Sequence, residues 1–132
     1  MLSGNMTSLN IDALVKTDEV HKDVYVDQAV FDIEMDRIFG CAWIYIGHDS
    51  QIPKTGDYWT TQVGRQSVVM VRGKNHEIHV LYNRCPHKGA RIAGDGCGQI
   101  KGLFRCPYHA WTFNFDGTIK GVPYREGYDS TS

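Results

Sequence analysis

The chain has 132 residues, of which 42% are apolar and 22% are charged, and its formal net charge is −1. This length suits one compact domain, and the composition is ordinary for a globular protein. Acidic and basic residues are interspersed, which argues against a nucleic-acid-binding surface. The longest apolar run, residues 41–46, is too short to span a bilayer, so no membrane partner is expected.

The first ten residues contain neither a basic segment nor a long apolar stretch, so no secretory signal is expected and the sequence favours the cytoplasm. Thiols stay reduced in that compartment. The four cysteines are therefore expected to be metal ligands or core residues instead of disulfide partners.

In chain order, residues 1–23 are polar and unpatterned, which predicts a loosely ordered leader. A helix is predicted over about residues 27–39, with Asp27 as its N-cap and Gly40 ending it. Its apolar residues recur at helical spacing and are expected to face the core: Phe31, Met35 and Ile38. Cys41, directly after the helix, is expected to be a buried thiol.

The rest of the chain shows short β-type runs separated by turn residues. Strands are predicted at 42–47, 58–63, 67–72, 78–83, 103–105 and 111–115. Asp116-Gly117 beside alternating phenylalanines predicts a hairpin. The pattern indicates an all-β domain over residues 24–132 with one N-terminal helix.

Two segments carry the chemistry, Cys85-Pro86-His87 and Cys106-Pro107-Tyr108-His109. Each lies at the end of a predicted strand, and the glycine-rich segment 94–98 gives the connection between them flexibility. Two such loops at one end of a β scaffold present two thiolates and two imidazoles to one inorganic site. Cys97, within the connection, is expected to have no metal role.

This ligand set has consequences for a [2Fe–2S] cluster. The diferric core carries two positive charges, so two thiolates make the site neutral, whereas four leave it doubly negative. Adding an electron to the neutral site costs less, which raises the potential from roughly −400 mV to between about −150 and +300 mV. A zinc site is the alternative, although common zinc modules group like ligands in one segment. A catalytic Cys–His pair lacks an orienting third group in these loops.

With these motifs, the chain resembles the N-terminal Rieske [2Fe–2S] domain of the large (α) subunit of aromatic ring-hydroxylating dioxygenases. The resemblance covers about residues 24–128. It is carried by the two loops and by further runs: Gly47-His48-Asp49-Ser50-Gln51-Ile52-Pro53, Gly56-Asp57-Tyr58 and Asn83-Arg84 before Cys85.

The resemblance implies a Rieske-type small antiparallel β-sandwich or barrel with a cluster-binding subdomain of two loops. It implies one [2Fe–2S] cluster, and the residues expected to hold it are Cys85, His87, Cys106 and His109. The residues expected around the cluster are Lys88, Gly89, Tyr108 and Trp111.

Other loop positions distinguish subtypes within the resemblance. Respiratory Rieske proteins carry a disulfide between the loops and a hydroxyl residue after the second loop. Here Ala90, Tyr108 and Trp111 occupy those positions, which predicts a potential near the low end of the Rieske range. Lys88 stands where arginine is usual, and Ala110 stands where glycine is usual.

The resemblance also implies partners in aromatic hydrocarbon catabolism. An electron arrives from a ferredoxin or reductase and passes to mononuclear Fe(II) in the neighbouring α subunit's catalytic domain. Intact α subunits commonly form homo- or hetero-oligomers built on a trimer.

The second iron needs two histidines and a carboxylate. The remaining histidines lack the family's His-x₄-His spacing: His21, His48, His76 and His79. The catalytic domain is therefore expected to be absent, and this chain is expected to transfer electrons without oxygenating a substrate. A free-standing Rieske ferredoxin is the alternative, but the predicted helix and residues 52–58 favour the oxygenase.

Overall fold

The computed structural model describes residues 10–128, which divide into two compact units with a boundary after Ile44. The first unit contains three helices: α1 (Ile11–Leu14), α2 (Asp23–Val26) and α3 (Gln28–Arg37). An isolated antiparallel bridge joins Val15 and Val20. Residues 1–9 of the predicted leader lie outside the described residues, whereas its described part contains α1 and this bridge.

Asp27 fixes the start of α3. Its carboxylate accepts hydrogen bonds from the backbone N–H groups of Ala29, at 2.7 Å, and Val30, at 3.2 Å. These are two of the amide groups that a helix leaves without internal partners, so the cap satisfies them.

The stripe predicted to face the core lies mostly at the surface, so that prediction is wrong. Phe31 is 42% exposed and Ile38 is 47% exposed, whereas Val30 is 6% exposed. Helical spacing places residues on one face but does not say whether a neighbour covers it. Cys41 is also exposed instead of buried, and its Sγ lies 3.4 Å from the Asp36 carbonyl oxygen.

The second unit contains two antiparallel sheets. The larger has the order β3-β2-β1-β4, formed by β1 (Asp57–Val63), β2 (Gln66–Arg72), β3 (Ile78–Tyr82) and β4 (Cys97–Gln99). The smaller has the order β5-β6-β7, formed by β5 (Phe104–Arg105), β6 (Thr112–Phe113) and β7 (Ile119–Gly121). This architecture confirms the predicted antiparallel β fold, although the described residues contain three N-terminal helices where one was predicted.

The predicted strands after residue 57 agree with the structure to within two residues at each end. The strand predicted at 42–47 is wrong, because those residues pair with no ladder in the described chain and Trp43 and Tyr45 are exposed. Two short strands, β4 and β7, were not predicted. The Asp116-Gly117 hairpin is present between β6 and β7, and Gly117 has a φ of +87°.

The core of this unit extends to the two cysteine loops. β2 is flanked by β1 and β3, and its residues 68–71 are all buried, as expected for an inner strand with a continuous apolar run. The buried cluster consists of Val69, Val71, Cys85, Ala93, Phe104, Cys106, Phe113 and Phe115. Both loop cysteines are therefore anchored in the same core as the strands.

No helix within residues 10–128 is both long and apolar enough to cross a membrane.

Candidate metal centre

The two Cys–His loops have the same backbone closure. The N–H of Cys85 donates to the carbonyl of Ala90 at 2.8 Å, and the N–H of Gly89 donates to the carbonyl of Cys85 at 2.9 Å. In the second loop, the N–H of Cys106 donates to the carbonyl of Trp111 at 2.8 Å, and the N–H of Ala110 donates to the carbonyl of Cys106 at 3.1 Å. Each loop thus turns back on its own cysteine and holds that cysteine at the loop's base.

The thiols of Cys85 and Cys106 meet at the base of the two loops. Each residue is 2% exposed, and their thiols form a hydrogen bond. Burial raises the pKa of the Cys85 thiol. Burial acts on Cys106 in the same sense, but hydrogen bonds from the backbone N–H groups of His109 and Tyr108 and from the Cys85 thiol together outweigh it, and the pKa of Cys106 is lowered.

The imidazoles of His87 and His109 form a second pair. Their ring centroids lie 4.6 Å apart at an interplanar angle of 65°. Burial lowers the pKa of His87, and the nearby charges of His109 and Lys88 lower it further, so a neutral ring is favoured. The buried Nδ1 of His87 has no hydrogen-bond partner within the described residues. An unpartnered buried nitrogen on a neutral ring has the chemistry of a metal ligand.

The four side chains thus pair like with like, thiol with thiol and imidazole with imidazole. A zinc site would bring all four donors around one ion. Within the described chain, no three His, Cys, Asp or Glu side chains converge on a point that suits a single metal ion. Two separate pairs instead suit a binuclear cluster in which each iron takes two protein ligands. The residues present fit a [2Fe–2S] cluster.

Aromatic rings surround the histidine pair. The Trp111 ring lies parallel to His87, with centroids 4.9 Å apart and an interplanar angle of 2°. Tyr108 lies 3.8 Å from the His109 ring by the same measure and is 64% exposed. Of the other residues expected around the cluster, Lys88 is exposed and Gly89 has a φ of +72°.

Asn83 holds the segment that connects the two loops. It is 2% exposed and lies just after β3, two residues before Cys85. Its Nδ2 donates to the carbonyl of Ala93 at 3.0 Å, and its Oδ1 accepts from the N–H groups of Ile92 and Ala93 at 3.2 and 2.8 Å. The amide therefore ties the connection between the loops to the end of the strand.

Within the described part of the second unit, none of the contacts given above for the four candidate ligands involves His48, His76, His79 or Cys97. His48 caps the 3₁₀ turn Asp49–Gln51, His76 adopts a left-handed backbone with a φ of +63°, and His79 lies 3.4 Å from a Glu77 oxygen. Cys97 is exposed on β4.

Sequence reasoning did not single out Asn83 as a support, nor Tyr128, whose ring contacts the His87–Trp111 stack. The sequence signal for the first is an asparagine at the end of the predicted strand 78–83, two residues before Cys85.

Residues 42–131 match the family model of the Rieske [2Fe–2S] domain. The chain belongs to this family. Its Rieske domain is 40% identical to the α subunit of biphenyl 2,3-dioxygenase from Rhodococcus jostii strain RHA1 over 111 residues, which cover 84% of this chain and 24% of that protein. It is 37% identical to the α subunit of toluate 1,2-dioxygenase from Pseudomonas putida, covering 90% of this chain and 29% of the relative.

Solved structures show the same fold. A quaternary ammonium Rieske monooxygenase in complex with L-carnitine superposes with a TM-score of 0.76 and 35% identity, covering 82% of this chain and 30% of the other. Naphthalene 1,2-dioxygenase from Rhodococcus sp. gives 0.71 and 36% identity, covering 80% and 23%. The Rieske domain described here spans less than a third of the length of each of these relatives.

Proposed function

We propose that Cys85 and Cys106 hold one iron of the Rieske cluster and that His87 and His109 hold the other. The observation that carries this assignment is the like-with-like pairing of the four side chains, with the His–His centroids 4.6 Å apart and both cysteines 2% exposed. The unpartnered Nδ1 of His87 supports it further.

The bound cluster supplies a reversible one-electron store at a potential above that of all-cysteine clusters. The protein's own residues create its environment. Burial of the two cysteines excludes water from the thiolate side, and the Trp111 ring covers one face of His87. His109 is exposed, so its ring is accessible to an electron partner. This asymmetry gives the domain a sealed side and a contact side.

We further propose that the domain works as the relay of a larger oxygenase in the cytoplasm. The donor is a ferredoxin or reductase, and the acceptor is a mononuclear iron in the catalytic domain of a neighbouring α subunit within a trimer-based oligomer. The α-subunit relatives support this proposal over a free-standing ferredoxin. The named substrates of the similar proteins include biphenyl, toluate and L-carnitine, so similarity of the Rieske portion does not specify a substrate for this chain.

The ligand assignment is tested by expressing the 132-residue chain and purifying it without oxygen. We expect equal amounts of iron and acid-labile sulfide, a red-brown colour and a rhombic EPR signal of low average g after reduction. Cys85→Ser and Cys106→Ser should lose this signal, whereas the matched variants Cys41→Ser and Cys97→Ser should retain it. Zinc without sulfide, or loss of colour in Cys97→Ser, would show that the assignment is wrong.

A further inference from the structure

The His87 ring is bounded by aromatic rings on three sides. Trp111 lies parallel to it, with centroids 4.9 Å apart, and His109 meets it at 65°. The third ring is that of Tyr128, whose centroid is 6.2 Å from His87 at an interplanar angle of 77°. His87 is thus the only one of the two histidines that contacts Trp111 and Tyr128 among the ring contacts of the described residues.

Tyr128 also contacts the other member of the stack. Its ring lies 5.5 Å from that of Trp111 by centroids, again at 77°. One tyrosine ring therefore meets both rings of the His87–Trp111 pair at a steep angle. Edge-to-face contacts of this kind are favourable and directional, because the positive edge of one ring faces the negative face of another.

A short turn brings Tyr128 to this position. The 3₁₀ turn Arg125–Gly127 follows β7, and the N–H of Tyr128 donates to the Arg125 carbonyl at 3.0 Å. Within the same turn the N–H of Gly127 donates to the Tyr124 carbonyl at 2.9 Å. Tyr128 is 40% exposed, whereas Tyr124 is 83% exposed. The turn thus directs one of its two tyrosines inwards.

We propose, on the basis of the ligand assignment above, that Tyr128 is a positioning residue for His87. Its ring closes the open edge of the His87–Trp111 stack, fixes the plane of the imidazole and keeps water from His87. Groups that orient a metal-bound histidine commonly tune the metal's affinity and potential. The role belongs to the ring and not to the hydroxyl.

The expected direction of the effect follows from charge. With two thiolates, the oxidised centre is neutral and the reduced centre carries one negative charge. Water stabilises the charged form more than an aromatic ring does, so removing the ring should raise the reduction potential. A freer imidazole should also alter the magnetic coupling of one histidine nitrogen to the reduced cluster.

The test uses the cluster-loaded full chain and the variants Tyr128→Ala, Tyr128→Leu and Tyr128→Phe, with Tyr124→Ala as the matched control. We measure the potential by voltammetry and the histidine nitrogen couplings by pulsed EPR. Tyr128→Ala should raise the potential and change one of the two nitrogen couplings. Tyr128→Phe should retain the wild-type potential and nitrogen couplings, and Tyr124→Ala should leave both quantities unchanged. Where Tyr128→Ala does not retain its cluster, Tyr128→Leu provides the comparison, because it keeps apolar volume without an aromatic edge.

Wild-type potential and couplings in Tyr128→Ala, or wild-type nitrogen couplings in Tyr128→Leu, would overturn the proposal. A Tyr128→Phe variant that behaves like the alanine variant would overturn it as well, because the hydroxyl would then be responsible. Failure of the ligand assignment gives a different result, since the wild-type chain itself would then show no Rieske signal.

Discussion

Gly89 and Ala110 occupy the same position in two loops of equal backbone closure, four residues after Cys85 and Cys106, and both have a left-handed backbone. Their φ angles are +72° and +57°. Only glycine adopts this region without cost, because a Cβ crowds the adjacent carbonyl oxygen. The family's usual glycine at the second position is therefore explained by the turn itself. Ala110 adopts the same turn with a methyl group present.

The single substitutions Ala110→Gly and Gly89→Ala should have opposite effects on stability. Ala110→Gly should stabilise the loaded domain by about 0.5–1 kcal/mol, since relief of the left-handed strain exceeds the added freedom of the unfolded chain. Gly89→Ala should destabilise it by about 1 kcal/mol through the backbone alone, because a Cβ there meets no atom within 4 Å. Thermal unfolding at equal cluster loading measures both changes.

Ala90→Gly is the control for this pair, because Ala90 lies outside the left-handed region and should lose stability on gaining backbone freedom. A destabilised Ala110→Gly variant would show that the Ala110 methyl group contributes packing that outweighs its strain.

Much of the fold follows from local patterns in the sequence. β1, β2 and β3 carry runs of β-branched and aromatic residues, and Asp116-Gly117 marks a hairpin, so these elements are predictable from propensity alone. β4 is not predictable from propensity, because its sequence is Cys97-Gly98-Gln99. It forms a strand only because it pairs with β1. A Cβ at Gly98 would lie 2.6 Å from the Tyr58 hydroxyl oxygen, so the glycine there is required by packing.

The candidate site is also partly predictable from local sequence and partly not. The two motifs predict which residue types gather, because spacing and turn residues are encoded locally. The pairing of Cys85 with Cys106 and of His87 with His109 depends on how two loops face each other, which spacing does not contain. The contact of Tyr128 with the stack is also non-local, because it depends on the turn at Arg125–Gly127. The exposure of Phe31 on α3 likewise depends on whether a neighbour covers its face.

Replacing a histidine ligand with cysteine should lower the reduction potential. His109→Cys adds a thiolate, so the oxidised centre becomes negative and resists a further electron. Where the cluster assembles, the potential should move toward the roughly −400 mV of all-cysteine clusters. Voltammetry of the loaded chain measures the shift, and His48→Cys, at the 3₁₀ cap, should not change it. An unchanged or higher potential in His109→Cys would exclude that residue as a ligand.

Removing the amide of Asn83 should loosen the connection between the loops. Asn83→Ala leaves the buried N–H and carbonyl groups of Ala93 without their side-chain partners, at a cost of about 1–3 kcal/mol. We therefore expect a lower unfolding temperature and faster loss of the visible spectrum in the presence of a chelator. Asn114→Ala, whose bond to the Thr118 hydroxyl is solvent-exposed, should change both by much less. Equal losses in the two variants would assign no special role to Asn83.

The four thiols should differ sharply in reactivity in the loaded protein. Cys41 and Cys97 are exposed, whereas Cys85 and Cys106 are each 2% exposed in the core. A thiol reagent reaches only accessible thiolates, so two thiols should react quickly and the other two only when the domain unfolds and releases its cluster. Titration with a chromogenic disulfide measures both phases, and the double variant Cys41→Ser, Cys97→Ser should abolish the fast phase alone. A fast phase that persists in this variant, while the visible spectrum stays intact, would show that Cys85 or Cys106 is accessible and not a cluster ligand.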